Sequence, residues 1–506
     1  MKNAYRGDKM KENKLYTLVT SDTATIYWYK PVELTDELSY TVYLDGKECG
    51  KTDRTHFTIK KLKSNHKYRV KVEYTIKKKS ARAVKIDKVS FVTSKEKKII
   101  DITKEPYKAV GDGKTMNTKA FQMAIDEAGP KDRIYIPGGI YLTGALHLHG
   151  NIDIYIEKGA VLRGTENPRD YLPKIPSRFE GIEMMCYSSL INMGTMDHSS
   201  DINCENVIIH GKGTIESGGR KLAERIIEEE KKHIDTGSLN LSEYEKEETL
   251  PGRARPRLIN ISNSKNVRIS GLNLKYGASW NVHMIYSQDV VTDHCSFYSE
   301  DVWNGDGWDP DSSHDCTIFA CEFNTGDDAI AIKSGKNPEG NVINIPTKNI
   351  NIFDCISKFG HGIVIGSEIS GGIDNVNIWD CDMTDSSNGF EIKATKKRGG
   401  HVRNINIRDS KFSRILMHSV NYNDDGEAAN DKPEFTDCRF SNVMISGRYL
   451  DEDKKKKSCN AIEIIGFDEP ELISNIYFDR VGIYNRSNIV VQNCSNVNMN
   501  RISTYL

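Results

Sequence analysis

Asp306, Asp309, Asp311, Asp315, Asp327 and Asp328 crowd into one segment, NGDGWDPDSSHDCTIFACEFNTGDDAIAIK, residues 304–333, among Gly305, Gly307 and Gly326. An acid cluster is expensive in a folded chain unless it binds a metal or moves protons. The glycines mark points where the backbone turns sharply or passes close to a ligand. Two further motifs follow, Gly360-His361-Gly362 and Glu391-Ile392-Lys393. A packed core histidine has no need of bare backbone on both sides, so His361 reads as a site residue. A metal site is the competing reading of Asp combined with His. It is disfavoured, because no second His or acid pair stands at ligand spacing around His361 and Lys393 adds positive charge to the same stripe. The residues point to proton-transfer chemistry on Asp306, Asp327, Asp328 and His361, with no metal and no cofactor.

Such residues need a scaffold that stacks them. One short phrase recurs, an Asn or Asp followed by alternating aliphatics and a small or polar corner. It reads NVIIHG from Asn206, NVRISG from Asn266, DVVTDH from Asp289, DCTIFA from Asp315, NINIFD from Asn349, NVNIWD from Asn375 and NINIRD from Asn404. Starts at 266, 289, 315, 349, 375 and 404 differ by 23, 26, 34, 26 and 29 residues. A repeat of that length built from short strands signals a solenoid, and period-2 alternation makes it a β-solenoid. The spacing predicts an all-β chain whose residues 98–506 form a right-handed parallel β-helix. Residues one coil apart stack, so the four motifs should form one stripe. The repeated Asn suits a left-handed corner or a side-chain ladder. Two stretches break the rhythm, 217–257 and the acidic 421–434, and such insertions usually build the walls of a cleft.

Ahead of the solenoid, residues 14–97 show short alternating runs bounded by turns. Trp28 on an early strand, with Leu62 six residues before Tyr68, matches the core Trp and tyrosine corner of a sandwich. This part resembles a fibronectin type III domain, read here as a packing or positioning module. Its Lys77-Lys78-Lys79 run is read as a solvated hairpin face.

Composition narrows the classes of function. With 38% apolar and 28% charged residues and a formal net charge of −1, the chain is globular and has no global pull toward nucleic acid or membrane. No apolar run reaches spanning length, and the N-terminus has no apolar leader core, which gives a cytoplasmic expectation for the sequence as it stands. The 11 cysteines lack paired CxxC spacing and are expected as free core thiols. The sequence assigns no oligomeric state.

At this point a specific resemblance appears. VGDGKTMNTKAFQMAID, GAVLRGTENPRDY, SWNVH, NGDGWD, GDD, GHGIVIGSE and EIK together resemble glycoside hydrolase family 28, the polygalacturonases, over roughly residues 100–506. The resemblance implies hydrolysis of α-1,4-linked galacturonate with inversion at the anomeric carbon. It makes Asp327 the general acid, gives Asp306 and Asp328 the attacking water, and lets His361 share the proton network. It makes Lys393 the partner of a substrate carboxylate; His283, Lys333 and Glu391 are further candidate substrate contacts, and Arg398, in the basic run 396–403, is a candidate to replace from a loop the cation that Glu391 displaces. The chain departs from the family where Arg-x-Lys is usual, because Glu391 takes the Arg position. A Glu facing the leaving sugar would repel a carboxylate there; alternatively Glu391 and Lys393, two residues apart on one strand face, pair with each other. The 217–257 insertion and the module in front look more like exo-acting members. The expected partner is an acidic pectic oligosaccharide, trimmed of galacturonic acid from its non-reducing end. Rhamnogalacturonan fragments are the alternative substrate, and a non-catalytic glycan-binding solenoid is the alternative class.

Overall fold

The computed structural model describes residues 14–31, 38–76, 84–197, 202–233, 249–422 and 425–505, and the chain divides into two compact units after Lys98. Lys77-Lys78-Lys79 lies outside the described residues. The first unit is a sandwich of two antiparallel sheets. Leu15–Val19, Ala24–Trp28 and His56–Ile59 make one sheet, and Lys47–Thr52, Leu38–Leu44, Lys67–Ile76 and Val84–Val92 make the other. Inward positions two apart fill its core, with Trp28, Tyr40, Val42, Val70 and Val72 buried between the sheets. Trp28 packs edge-on against Tyr40, ring centroids 5.1 Å apart. The Tyr68 hydroxyl accepts the Lys63 backbone N–H at 2.9 Å, tying the strand start to the turn before it.

The second unit is a parallel β-helix. One sheet of 11 strands runs from Leu146–Leu148 to Ile489–Gln492, and a sheet of 23 strands supplies the other sides of the coils. Successive coils pair in parallel register, as in Val291 with Thr317, Thr317 with Asn351, Asn351 with Asn377 and Asn377 with Asn406. Period-2 alternation drives this packing. Inward Ile, Val and Phe side chains stack coil upon coil into one buried column, each contributing about 1.5–3 kcal/mol by leaving water. Cys295, Cys316, Cys321, Cys355 and Cys381 are buried free thiols within that column.

The recurring Asn or Asp does both things its position allows. Asn206, Asn266, Asp289, Asp315, Asn349, Asn375 and Asn404 all adopt left-handed φ between 54° and 60°. Their side chains also form a ladder: Asn266 Nδ2 donates to Asn206 Oδ1 at 2.7 Å, and Asn375 Nδ2 to Asn349 Oδ1 at 2.7 Å. Near the start of the second unit, Thr118–Glu127 forms a short helix with Phe121 and Ile125 buried.

Two additions stand outside the coils, and the first covers the outer face of the 11-stranded sheet. The hairpin Ile175–Phe179 and Ile182–Cys186 has no counterpart in the sequence reading. Its tip is Glu180-Gly181, where the left-handed φ of 76° at Gly181 favours glycine. From the 217–257 insertion comes the helix Gly219–Lys231, polar outside, with Leu222, Ala223, Ile226 and Ile227 buried along one side.

Candidate active site

Parallel register assembles the stripe. Trp308 pairs with Ile330, and Ile330 with Ile363, on neighbouring coils. Asp306, Asp328 and His361 each precede one of those three core residues by two positions, so they share one level and face. Asp327 joins them because Gly326 allows a close approach. A Cβ at Gly326 would lie 2.5 Å from the Val302 carbonyl oxygen and 2.6 Å from that of Ser299. Gly360 and Gly362 hold His361 on left-handed backbone, φ 104° and 99°. A Cβ at Gly360 would sit 2.3 Å from Thr325 Oγ1 and 2.6 Å from the Asp327 carbonyl oxygen. Gly360→Ala is therefore expected to strain the backbone under Asp327 by about 1–3 kcal/mol, lowering Tm and activity together. A variant melting and turning over like the parent would reject that packing argument.

Asp306, Asp327, Asp328, Lys333, His361, Lys393 and Arg398 line one cleft of about 790 Å³. At its centre His361 Nδ1 lies 2.9 Å from Asp327 Oδ1 and 2.9 Å from Asp328 Oδ1. The Asp328 backbone N–H also donates to Asp327 Oδ1 at 3.0 Å. One oxygen from each acid and one ring nitrogen fall within 4.8 Å of one another, close enough to hold a metal ion. Both carboxylates instead converge on Nδ1 at hydrogen-bond distance, and a metal there would have to displace the proton between them.

The charges around this centre sort the acids. Burial pushes the Asp306 carboxyl well above the usual range, with Asp309, Asp327 and Asp328 adding to the rise and Lys333 opposing it. Asp309, fully buried beside it, is pushed up to about 7, chiefly by burial. Asp327 goes the other way. Burial raises it, but His361 first, then Lys393 and Lys333, outweigh burial and hold it well below the usual range. Burial lowers the His361 imidazole, yet Asp327 and Asp328 carry it well above its ordinary value. These charges favour the proton between Asp327 and His361 on the histidine. This corrects the simple expectation of a protonated Asp327, and the cause is the cations around it.

The other expected substrate contacts divide. Lys393 faces the cleft, its ammonium held charged against burial by Asp328 and Glu391. Lys333 lines the cleft but is committed to protein. Its Nζ donates to Asp306 Oδ2 at 2.9 Å, lies 3.6 Å from Asp309 Oδ1, and sits 3.6 Å above the Trp280 ring. It holds Asp306 rather than reaching for a ligand. Arg398 is likewise spent, on Asp425 Oδ1 at 2.8 Å and the Ser367 carbonyl at 2.9 Å. His283 is no substrate contact: it is 0% exposed, edge-on to Trp280 and 3.4 Å from Asp311 Oδ2. The hairpin explains this, since Arg178 on it binds Asp311 at 2.8 Å and seals that sheet face. Burial takes the His283 imidazole down to about 3.

Of its two expected roles, Glu391 takes the pairing with Lys393 and not a place against the leaving sugar. It does not line the cleft and is only 3% exposed. Its Oε1 meets His418 Nε2 at 2.6 Å, and its Oε2 accepts from Asn388 Nδ2 at 2.8 Å and faces Lys393 Nζ at 3.5 Å. Burial opposes its charge, but Lys393 and then His418 hold its carboxyl down to about 2. A carboxylate so enclosed cannot repel a leaving sugar.

Several cleft residues were not singled out from sequence. Trp303 lies on the wall beneath the Arg220 guanidinium, 4.4 Å from its ring, and Arg220 belongs to the insertion helix. Arg255 Nη2 donates to Asn304 Oδ1 at 2.6 Å and its Nη1 to the Trp303 carbonyl at 2.8 Å, fixing the loop that leads into Asp306. Lys336, Glu368 and Tyr422 complete another part of the lining.

The fold and site together define a right-handed parallel β-helix with three acids and a histidine gathered in one walled cleft. The model of glycosyl hydrolases family 28 matches residues 197–501, and the chain belongs to that family. It is 33% identical over 312 residues to a probable polygalacturonase of Vitis vinifera, covering 59% of this chain and 58% of that protein. It is 26% identical over 402 residues to an exo-poly-alpha-D-galacturonosidase of Dickeya chrysanthemi, covering 75% of this chain and 66% of that one. The chain thus spans a little under two thirds of the length of these relatives. Among solved structures, the family 28 exopolygalacturonase of Yersinia enterocolitica superposes with a TM-score of 0.84 at 22% identity, over 98% of this chain and 96% of that one. A hyperthermoactive exopolygalacturonase from Thermotoga maritima gives a TM-score of 0.64 at 25% identity, over 81% and 92%.

Proposed function

We propose that the protein is an exo-acting, inverting glycoside hydrolase that releases galacturonic acid from the non-reducing end of pectic oligogalacturonides. The observation that carries the reading is His361 Nδ1, 2.9 Å from both Asp327 and Asp328, in a cleft that Lys393 also faces. The substrate carboxylate pairs with Lys393. That neutralises one of the cations depressing Asp327, so the Asp327 carboxyl rises and the proton passes from His361 Nδ1 to Asp327 Oδ1. Asp327 then protonates the glycosidic oxygen as the C–O bond breaks. Asp328 orients the water, and Asp306 takes its proton as the new C–O bond forms at the opposite face. Asp306 acts in its ionised form, which Lys333 favours from 2.9 Å against burial and the neighbouring acids, and its raised pKa makes that form a stronger proton acceptor than an ordinary carboxylate.

The relatives named for exo action support the mode, and so does the wall, where Arg220, Ile227, Thr249, Gly252 and Arg255 all line the cleft. Withdrawal of Glu391 from the cleft favours galacturonate over rhamnose in the leaving position, because the repulsion that motivated rhamnose has no source there. Time courses on a galacturonate oligomer should show monomer from the first minutes and a slow fall in polymer viscosity. An early ladder of mid-sized oligomers would count against exo action.

A second reading concerns stereochemistry. The Asp327 and Asp328 oxygens fall within 4.8 Å, closer than the roughly 6.5–9.5 Å that inverting pairs usually leave for water and nearer the spacing of retaining pairs. Assigning the base to Asp306, on the neighbouring coil, preserves inversion. Proton NMR of fresh product decides, with the β anomer expected first and an initial α anomer supporting retention through Asp328.

A further inference from the structure

Trp303 is the one tryptophan that the fold leaves open to solvent. It is 42% exposed, whereas Trp28, Trp280, Trp308 and Trp379, the other four of the five, are at most 1% exposed. A single exposed apolar side chain is ordinary on an open surface. This one lines the cleft, and its surroundings hold it there. The loop that carries it is tightly wound: the Val302 N–H donates to the Ser299 carbonyl at 3.0 Å, and a Cβ at Gly305 would fall 2.7 Å from the carbonyl oxygens of both Ser299 and Val302. Arg255 Nη1 pins the Trp303 carbonyl at 2.8 Å, which leaves the indole rather than the backbone to face the cleft.

One face of the ring is already occupied. The Arg220 guanidinium lies over it, 4.4 Å from the centroid, and Arg220 Nε donates to Glu224 Oε1 at 3.0 Å. The helix that carries Arg220 is fixed at its first residue, where the Gly219 N–H donates to the Tyr276 carbonyl at 3.0 Å. The indole is thus backed on one side and open on the other.

The catalytic argument engages the carboxylate and the glycosidic oxygen of the substrate and leaves its apolar face unmatched. In a galacto-configured ring the axial C4 hydroxyl stands on one face, and the C–H groups at C3, C4 and C5 gather on the other. Those C–H groups are weakly positive and complement the negative face of an indole. We propose that Trp303 is a substrate-binding platform, its open face stacking on the C–H face of the galacturonate ring that enters beside the insertion helix. The inference rests on the galacturonidase reading and adds a contact to the sugar ring itself, independent of the carboxylate that Lys393 serves.

Release of galacturonate from the trimer by the wild type tests the reading alone. The platform is tested without turnover, on Asp327→Asn, by tryptophan fluorescence and calorimetry with galacturonate trimer. Because the other tryptophans are buried, binding should move the emission to shorter wavelength and shield it from acrylamide quenching. Both responses should vanish in Asp327→Asn/Trp303→Phe. Trimer affinity should fall by about 10–100-fold in Asp327→Asn/Trp303→Ala and by less in the Phe variant, which keeps a smaller ring. Four results would each overturn the platform: no trimer binding by Asp327→Asn, no emission shift with trimer bound, a shift of the same size in the Phe variant, which would place the response on Trp280, or affinity in the Ala variant within about threefold of its parent. Trimer cleavage by the wild type would still stand in those cases. If the trimer binds through Trp303 and is not cleaved, the platform survives and the assigned reaction falls.

Discussion

Asp327→Asn should reduce kcat on oligogalacturonides by a thousandfold or more while the protein keeps its fold. The amide preserves size and still accepts the backbone N–H of Asp328, which reaches Asp327 Oδ1 at 3.0 Å. It can also accept from His361 Nδ1, now 2.9 Å away. It cannot carry the proton that the glycosidic oxygen needs as its bond breaks. A thousandfold is about 4 kcal/mol of barrier, within what one positioned acid can supply. KM should change little, because the Lys393 contact with the substrate carboxylate is untouched. Circular dichroism and Tm close to the parent's would exclude misfolding as the cause. More than a tenth of wild-type activity would remove Asp327 from the acid role and shift attention to His361 as direct donor.

Much of this centre was legible because the β-helix turns sequence spacing into stacking. The period-2 phrases give the strands, and coil-length spacing gives the column of Asp306, Asp328 and His361. Each lies two residues before a core side chain that the register pairs across coils. What escaped the reading depended on packing between segments far apart in sequence. Lys333, which ends AIAIK, is expected from sequence as a substrate contact; the fold instead sets its ammonium against Trp280 and the acids at 306 and 309. His283 looked like a ligand-facing residue in SWNVH, and it does lie on the outer face. A hairpin 100 residues upstream covers that face, with Arg178 on Asp311 and Phe179 stacked on Trp280 at 4.8 Å. The hairpin has a sequence signal in hindsight, a Glu180-Gly181 turn between two short runs, but nothing local says where it docks. Protonation was the least legible property. Three neighbouring acids imply at least one retained proton, while its place on Asp306, Asp309 or His361 depends on where each cation comes to rest.

Glu391→Arg is the change that the family pattern alone would recommend, and the structure predicts that it fails. Glu391 lies behind Lys393, with His418 Nε2 2.6 Å from one oxygen, Asn388 donating to the other at 2.8 Å and Lys393 Nζ 3.5 Å away. Asn388 is in turn held by Arg414 Nη2, which donates to its Oδ1 at 2.8 Å. An arginine here would replace the carboxylate that all these donors face with a third cation among Lys393 and Arg414. Breaking a buried pair by removing one partner typically costs about 3–5 kcal/mol. Part of that should appear as a lower Tm and the rest as a displaced Lys393. If Lys393 pairs with the substrate carboxylate as proposed, whatever sugar leaves, kcat/KM should fall by roughly a hundredfold on galacturonate trimers, equivalent to about 2.7 kcal/mol. It should fall by a similar factor on a substrate whose leaving sugar is rhamnose. Glu391→Gln, which can keep one hydrogen bond but loses the charge, should cost about tenfold on both, near 1.4 kcal/mol. A selective gain on galacturonate trimers in the Arg variant would show that residue 391 does reach the leaving sugar, and would return substrate choice to this position.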